Sequence, residues 1–141
     1  MVATGSSRIQ AQAMADAVEE ALDLITIDVS FISLKLVLPV ATRLLSPDGN
    51  LICLIKPQFE AGREQVGKKG IVKDPAVQAE VIQKVIGYGM ENGLYARGLT
   101  ASPIAGAKGN REYLLWLARA GDAGARFDAN FIHGIAGEIY V

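Results

Sequence analysis

Apolar residues along this chain fall into short dense runs, separated by stretches where they recur every three or four positions. The dense runs, residues 24–28, 51–56, 95–100 and 112–118, predict β-strands. Residues 51–56 are apolar up to their terminal lysine, as suits a parallel strand covered on both faces. Helical spacing marks residues 8–22 (Ile9, Met14, Val18, Leu22) and 34–45 (Leu34, Leu38, Ala41, Leu45). Pro39 predicts that the second of these helices begins late or kinks, and Ser46-Pro47-Asp48-Gly49 predicts a turn after it. Asp74 and Pro75 have the chemistry of an N-cap and first helical residue. The helix they open carries a stripe of Val77, Val81, Ile82, Val85 and Ile86, sets Glu80 against Lys84 outside, and stops at Asn92-Gly93.

Between the second strand and this helix lies a polar loop, 57–73, with three glycines, of a length at which loops tend to be functional. Residues 1–7 are small and polar and read as loose. The segment from Gly121 is glycine-rich and predicts little beyond a short strand at 138–141. The order strand–helix–strand–helix–strand–strand predicts an α/β sheet, parallel at first and closing with a hairpin-like return. Three segments follow: an N-terminal extension (1–22), an α/β domain (23–119) and a glycine-rich tail (120–141).

Composition narrows the class. With 141 residues, 50% hydrophobic and 21% charged, the chain is one globular domain. Its net charge of −1 gives no bulk argument for nucleic acid, so any RNA contact must come from a local patch or another domain. The single cysteine, Cys53, excludes a disulfide framework and fits a reducing cytoplasm. No apolar run approaches the roughly 18 residues of a membrane span, and residues 1–12 have no signal-peptide core. The expectation is a soluble cytoplasmic protein.

Three ionisable residues stand at strand ends. Asp28 closes the first strand, Lys56 closes the second and Glu112 opens the last. In open α/β sheets ligands bind outside the carboxyl ends of the strands, so an acid, a base and a second acid there read as a catalytic set. Taken singly, each is equally a turn residue or a solvated charge.

The words around these residues carry a family resemblance. Ile27-Asp28-Val29-Ser30-Phe31-Ile32-Ser33-Leu34, Ile55-Lys56-Pro57-Gln58-Phe59-Glu60-Ala61-Gly62-Arg63, Lys68-Lys69-Gly70-Ile71-Val72-Lys73-Asp74-Pro75 and Gly109-Asn110-Arg111-Glu112-Tyr113-Leu114-Leu115-Trp116-Leu117 resemble the hemolysin A (TlyA-type) members of the FtsJ-like ribosomal RNA 2′-O-methyltransferases. The resemblance implies a Rossmann-like sheet with an antiparallel last strand. It also implies methyl transfer from S-adenosylmethionine to a ribose 2′-hydroxyl of ribosomal RNA. In the family's Lys-Asp-Lys-Glu tetrad, Asp28 matches the aspartate, Lys56 the second lysine and Glu112 the glutamate, with Asp28 and Val29 also at the cofactor. A lysine there orients the hydroxyl, or takes its proton, while carboxylates fix the lysine.

The family's glycine-rich cofactor loop, first tetrad lysine and N-terminal RNA-binding domain find no match before Asp28. The chain therefore resembles the C-terminal half of the enzyme. On that reading the first strand lacks its usual neighbour, and its exposed edge predicts a homodimer. The rival reading is a non-enzymatic RNA-binding or oligomerisation module. A pore-forming role, which the hemolysin name suggests, finds no amphipathic or spanning segment.

Arg63, Lys68, Lys69, Lys73 and Arg111 form either a solvated surface or a sequence-independent contact to RNA phosphates. Residues 62–69 nearly spell a phosphate-binding P-loop, but Lys69 stands where Ser or Thr is required and no helix follows. Phe31 and Phe59 are either core residues or stacking platforms for a base. His133, without a second ligand nearby in sequence, predicts no metal.

Overall fold

The computed structural model describes residues 2–5, 22–119 and 127–137, the first of these segments as backbone. Five strands, β1 (Val2–Gly5), β2 (Leu22–Val29), β3 (Leu45–Ile55), β4 (Tyr95–Ala101) and β5 (Tyr113–Ala118), form one sheet in the order β1-β2-β3-β5-β4. β1, β2 and β3 run parallel, and β5 is antiparallel to both its neighbours. Three helices are described: α1 (Leu34–Leu44), α2 (Pro75–Glu91) and α3 (Ala129–Ala136). The expected α/β sheet with an antiparallel last strand is what the chain forms.

Alternation along the strands sets the core. Ile25 and Ile27 of β2, Leu51, Cys53 and Ile55 of β3, and Tyr113, Leu115 and Leu117 of β5 are buried on one face. They join Leu34, Leu38 and Ala41 of α1 and Ile82 and Val85 of α2 in one cluster. The other face is more open: Leu24 and Trp116 are exposed, and the Trp116 indole donates to Asn50 Oδ1 at 2.9 Å.

The helix-boundary chemistry of α2 holds. Asp74 accepts from the Ala76 amide, Pro75 opens the helix, and Gly93 takes a positive φ of 75° after it. Val77 and Ile86 of its predicted stripe are only half-buried, whereas Gln78 and Ala79 are buried. Outside, Glu80 accepts from Gln65, and Lys84 reaches the Glu60 carbonyl.

Several expectations are corrected. α1 begins at Leu34, capped by Ser33, and runs through Pro39 without starting late. Pro39 lies on the exposed face, where the Lys35 carbonyl it leaves unpaired can turn to water. Residues 46–49 form no separate turn but a bulge within β3, because the pairing jumps from Leu22–Leu45 to Leu24–Asn50. The bulge folds back so closely that a Cβ at Gly49 would lie 2.6 Å from Leu45 Cδ1. Residues 2–5, read as loose, form β1, which pairs Thr4 with Asp28 and Gly5 with Val29. β2 is therefore flanked on both sides, and the homodimer expected through its open edge loses its premise. The glycine-rich tail contains α3, whose N-cap Asp128 accepts from the Phe131 amide at 2.9 Å. Leu22, placed at the end of the first predicted helix, opens β2 instead; the rest of that helix, and the strand at 138–141, lie outside the described residues.

Candidate active site

Strand direction brings the three candidates to one sheet edge. Asp28 sits near the carboxyl end of β2, Lys56 follows β3, and Glu112 precedes β5, whose Tyr113 pairs with Ile55. The Lys56 Nζ lies 2.6 Å from Asp28 Oδ1, and it donates to Ser30 Oγ at 3.1 Å. The Lys56 side chain is 14% exposed and that of Asp28 56%, so the pair has a sheltered cation and an open anion.

Glu112 joins this pair indirectly. It is 6% exposed, and its Oε2 accepts from Gln58 Nε2 at 3.1 Å. Gln58 stands on a 3₁₀ turn, Pro57–Phe59, that begins immediately after Lys56. Across from it, a Cβ at Gly106 would run into the Glu112 carboxylate, so the loop closes over that acid in its present position because residue 106 has no side chain. Gln58 and Gly106 carry no charge and no reactive group, which is why residue type alone did not single them out.

A second carboxylate ties the loops together. Glu60 Oε2 accepts from Ser33 Oγ at 2.6 Å and its Oε1 from the Leu34 amide at 2.8 Å, so the turn after Lys56 caps the helix that follows Asp28. Burial pushes the Glu60 carboxyl above its ordinary pKa, against the lowering effect of those bonds and of Lys84. Burial likewise pushes the Cys53 thiol up to about 12, which leaves it an inert core residue.

Phe31 departs from its surroundings. It holds a left-handed φ of 62°, a costly conformation for a bulky side chain, and is 82% exposed. Its ring meets Phe59 at 4.8 Å between centroids. The two rings, with Gln58, Gly70, Lys108 and Asn110, line a pocket of about 180 Å³ beside the charged residues. Neither phenylalanine belongs to the buried core.

The polar loop is pinned to this edge by Asn110, which is 2% exposed. Its Oδ1 accepts from the Val72 amide at 3.0 Å, and its Nδ2 donates to the carbonyls of Gly70 and Ala107 at 2.8 and 3.1 Å. The chain of bonds continues through Val72 O to Gln78, and from Gln78 to the Tyr113 hydroxyl. On the far side of the loop, Lys68, Lys69 and Lys73 line a wider pocket of about 470 Å³, together with Glu64 and Asp74. Arg63 is also exposed. Arg111 turns inward: its Nη1 donates to the Ala136 carbonyl at 2.9 Å, at the end of α3, and its guanidinium lies over the Tyr113 ring. Among the described residues no cluster of His, Cys, Asp and Glu could hold a metal ion, and no helix is long and apolar enough to cross a membrane.

Residues 5–119 match the FtsJ-like methyltransferase family. YqxC of Bacillus subtilis, provisionally named an rRNA methyltransferase, is 56% identical over 92 residues, which are 65% of this chain and 33% of YqxC. The 16S/23S rRNA (cytidine-2′-O)-methyltransferase TlyA of Mycobacterium tuberculosis is 43% identical over 102 residues, 72% of this chain and 38% of TlyA. Hemolysin A of Brachyspira hyodysenteriae is 40% identical over 96 residues, 68% of this chain and 40% of its own length. A solved structure described as a hemolysin from Lactococcus lactis superposes with a TM-score of 0.74 at 43% identity, covering 82% of this chain and 56% of that one. The chain thus spans well under half the length of these curated relatives.

Proposed function

The chain belongs to the FtsJ-like methyltransferase family, and from that premise we propose a catalytic role in ribosomal RNA methylation. The reaction is transfer of a methyl group from S-adenosylmethionine to a ribose 2′-hydroxyl, the position named for TlyA. One observation carries the proposal: Lys56 and Asp28 meet at 2.6 Å on the carboxyl edge of the parallel strands, where antiparallel β5 also delivers Glu112.

S-adenosylmethionine, when bound, supplies an electrophilic methyl group. The described residues fit it in part: Asp28 offers a half-open carboxylate to a sulfonium cation, beside the backbone of Val29. Asp28 and Ser30 hold the Lys56 ammonium in one place, and Lys56 orients the ribose hydroxyl or, in its neutral form, takes its proton. Alignment of this kind supplies several kcal/mol of the barrier reduction. Glu112, braced by Gln58, sets the negative charge on the far side of the site. Phe31 and Phe59 offer faces on which an unstacked base can lie.

In a complete enzyme containing this segment, Lys56→Ala abolishes methyl transfer while the domain stays folded; retained turnover sinks the assignment. The exposed lysines 68, 69 and 73 favour a second reading, a module that binds RNA without catalysis. Calorimetric titration separates the two. Micromolar S-adenosylmethionine binding supports the enzyme, and RNA binding without it supports the module.

A further inference from the structure

Asp28 and Lys56 stand on separate loops, and the sheet does not join those loops. The last paired residues of β2 and β3 are Ile27 and Cys53. Beyond them Asp28 and Val29 pair on the other side, with Thr4 and Gly5 of β1. The 2.6 Å contact between Lys56 and Asp28 therefore forms where the ladder between their strands has already ended. An ammonium on a flexible four-carbon stem has no fixed place of its own. The gap between the two loops must be set by other bonds.

Glu60 spans that gap. Its carboxylate spends both oxygens on the first residues of α1, Oε2 accepting from Ser33 Oγ at 2.6 Å and Oε1 from the Leu34 amide at 2.8 Å. Hydrogen bonds to an ionised acceptor are about twice as strong as neutral ones. α1 is a firm anchor, because Leu34, Leu38 and Ala41 are buried in the core. The other end of the bridge is equally fixed. Phe59 N donates to Lys56 O at 2.9 Å, Glu60 N to Pro57 O at 3.1 Å and Ala61 N to Pro57 O at 2.9 Å. A displacement of Glu60 is thus carried back along the turn to Lys56. The contact between the Phe31 and Phe59 rings also joins the two loops, but Phe31 is 82% exposed and gives less hold.

We infer that Glu60 is a positioning residue for methyl transfer: by fastening the turn after β3 to the N-terminus of α1, it sets where the Lys56 ammonium stands against Asp28. The inference rests on the methyltransferase reading of the site, with Lys56 at the reacting hydroxyl. Glu60 acts through Lys56, since its own carboxylate is spent on Ser33 and Leu34. A neutral amide can take its place, with its oxygen accepting from the Leu34 amide and its nitrogen donating to the Ser33 hydroxyl. The role therefore belongs to the shape of the bridge and not to its charge. A misplacement of about 1 Å at a reacting group costs about a hundredfold in rate.

Two measurements test it. In this chain, carbon relaxation at the Lys56 ε-methylene reads how tightly the ammonium is held. Wild type and Glu60→Gln are expected to hold Lys56 alike, whereas Glu60→Ala gives it the motion of the exposed Lys35. Leu117→Val, which opens a small cavity toward the far end of β5, is expected to lower stability without loosening Lys56. If Glu60→Ala does not fold, Ser33→Ala removes one of the two bonds and is read in the same way. In a complete enzyme containing this segment, Glu60→Ala is expected to lower kcat about a hundredfold at unchanged KM for RNA, and Glu60→Gln to restore it. Lys56 held as firmly in Glu60→Ala as in wild type, or loosened equally by Leu117→Val, overturns the inference. So does a full kcat in Glu60→Ala of an enzyme that Lys56→Ala inactivates. Retained turnover in Lys56→Ala rejects instead the catalytic reading of Lys56, and the inference falls with it while the relaxation result stands.

Discussion

Replacing Asn110 with alanine removes a side chain that makes three hydrogen bonds at once, and the three do not weigh the same. The Val72 amide is the expensive one, because Val72 is 2% exposed and its N–H has no water to turn to. Stranding a buried donor costs about 1–3 kcal/mol. The Gly70 carbonyl is half-buried and that of Ala107 exposed, so both recover part of their bonding from solvent and lose roughly 0.5 kcal/mol each. Asn110→Ala is thus expected to cost about 2–4 kcal/mol, a large share of an ordinary domain's 5–15 kcal/mol. Urea unfolding followed by Trp116 fluorescence reads the destabilisation, and hydrogen exchange at the Val72 amide locates it. Asn110→Asp separates shape from bonding: it keeps an acceptor for Val72, but sets a carboxylate against two carbonyls, and should be no better than alanine. A destabilisation under about 1 kcal/mol with the Val72 amide still protected refutes the account of Asn110 as the pin between the two loops.

Gly106→Ala places a methyl group in the Glu112 carboxylate and is expected to cost about 1–3 kcal/mol and to shift the Gln58 side-chain amide resonances. An unchanged Gln58 spectrum contradicts it. Glu60 carries a raised folded pKa, so its contribution to stability is fully present below the unfolded value of 4.5 and is lost as pH rises through the folded one. The stability difference between wild type and Glu60→Gln should therefore move in favour of wild type on acidification across that window; the opposite slope in parallel urea titrations rejects burial as the dominant cause. If Lys68 and Lys69 touch RNA phosphates, their joint replacement by alanine makes the plot of log affinity against log salt shallower by roughly 0.7–0.9 for each phosphate no longer neutralised. An unchanged slope by fluorescence anisotropy removes them from the RNA surface.

The parts of the fold legible in sequence are those fixed by local chemistry. Asp74-Pro75 and Asn92-Gly93 bracket α2 because a carboxylate, a missing N–H and a positive φ each have one use at a helix end. The dense apolar runs became β2, β3, β4 and β5 because a buried strand needs little else. What stayed hidden depends on partners distant in the chain. β1 is a strand because β2 offers it an edge, and nothing in Val2–Gly5 announces that. Pro39 sits inside α1 because its side of the helix faces water, which periodicity alone did not weigh against the proline rule. At the site, the contact of Asp28 with Lys56 followed from charge at strand ends. The bracing of Glu112 by Gln58 and Gly106 did not, because a neutral amide and a missing side chain act only through the acid they touch. Arg111 looked like a phosphate ligand beside Glu112, yet its charge is directed to the carboxyl end of α3.

The strand order also dictates a sequence of events during synthesis. β5, the last described strand to leave the ribosome, is inserted between β3 and β4. Until it arrives, β3 and β4 share no backbone bonds, and the edge of β3 that will receive Tyr113–Ala118 stays open while all of α2 and β4 are being made. An apolar edge held open for that long is the state in which nascent chains pair wrongly. The strand that closes it follows directly on Glu112, so the acid reaches Gln58 only as the sheet becomes whole.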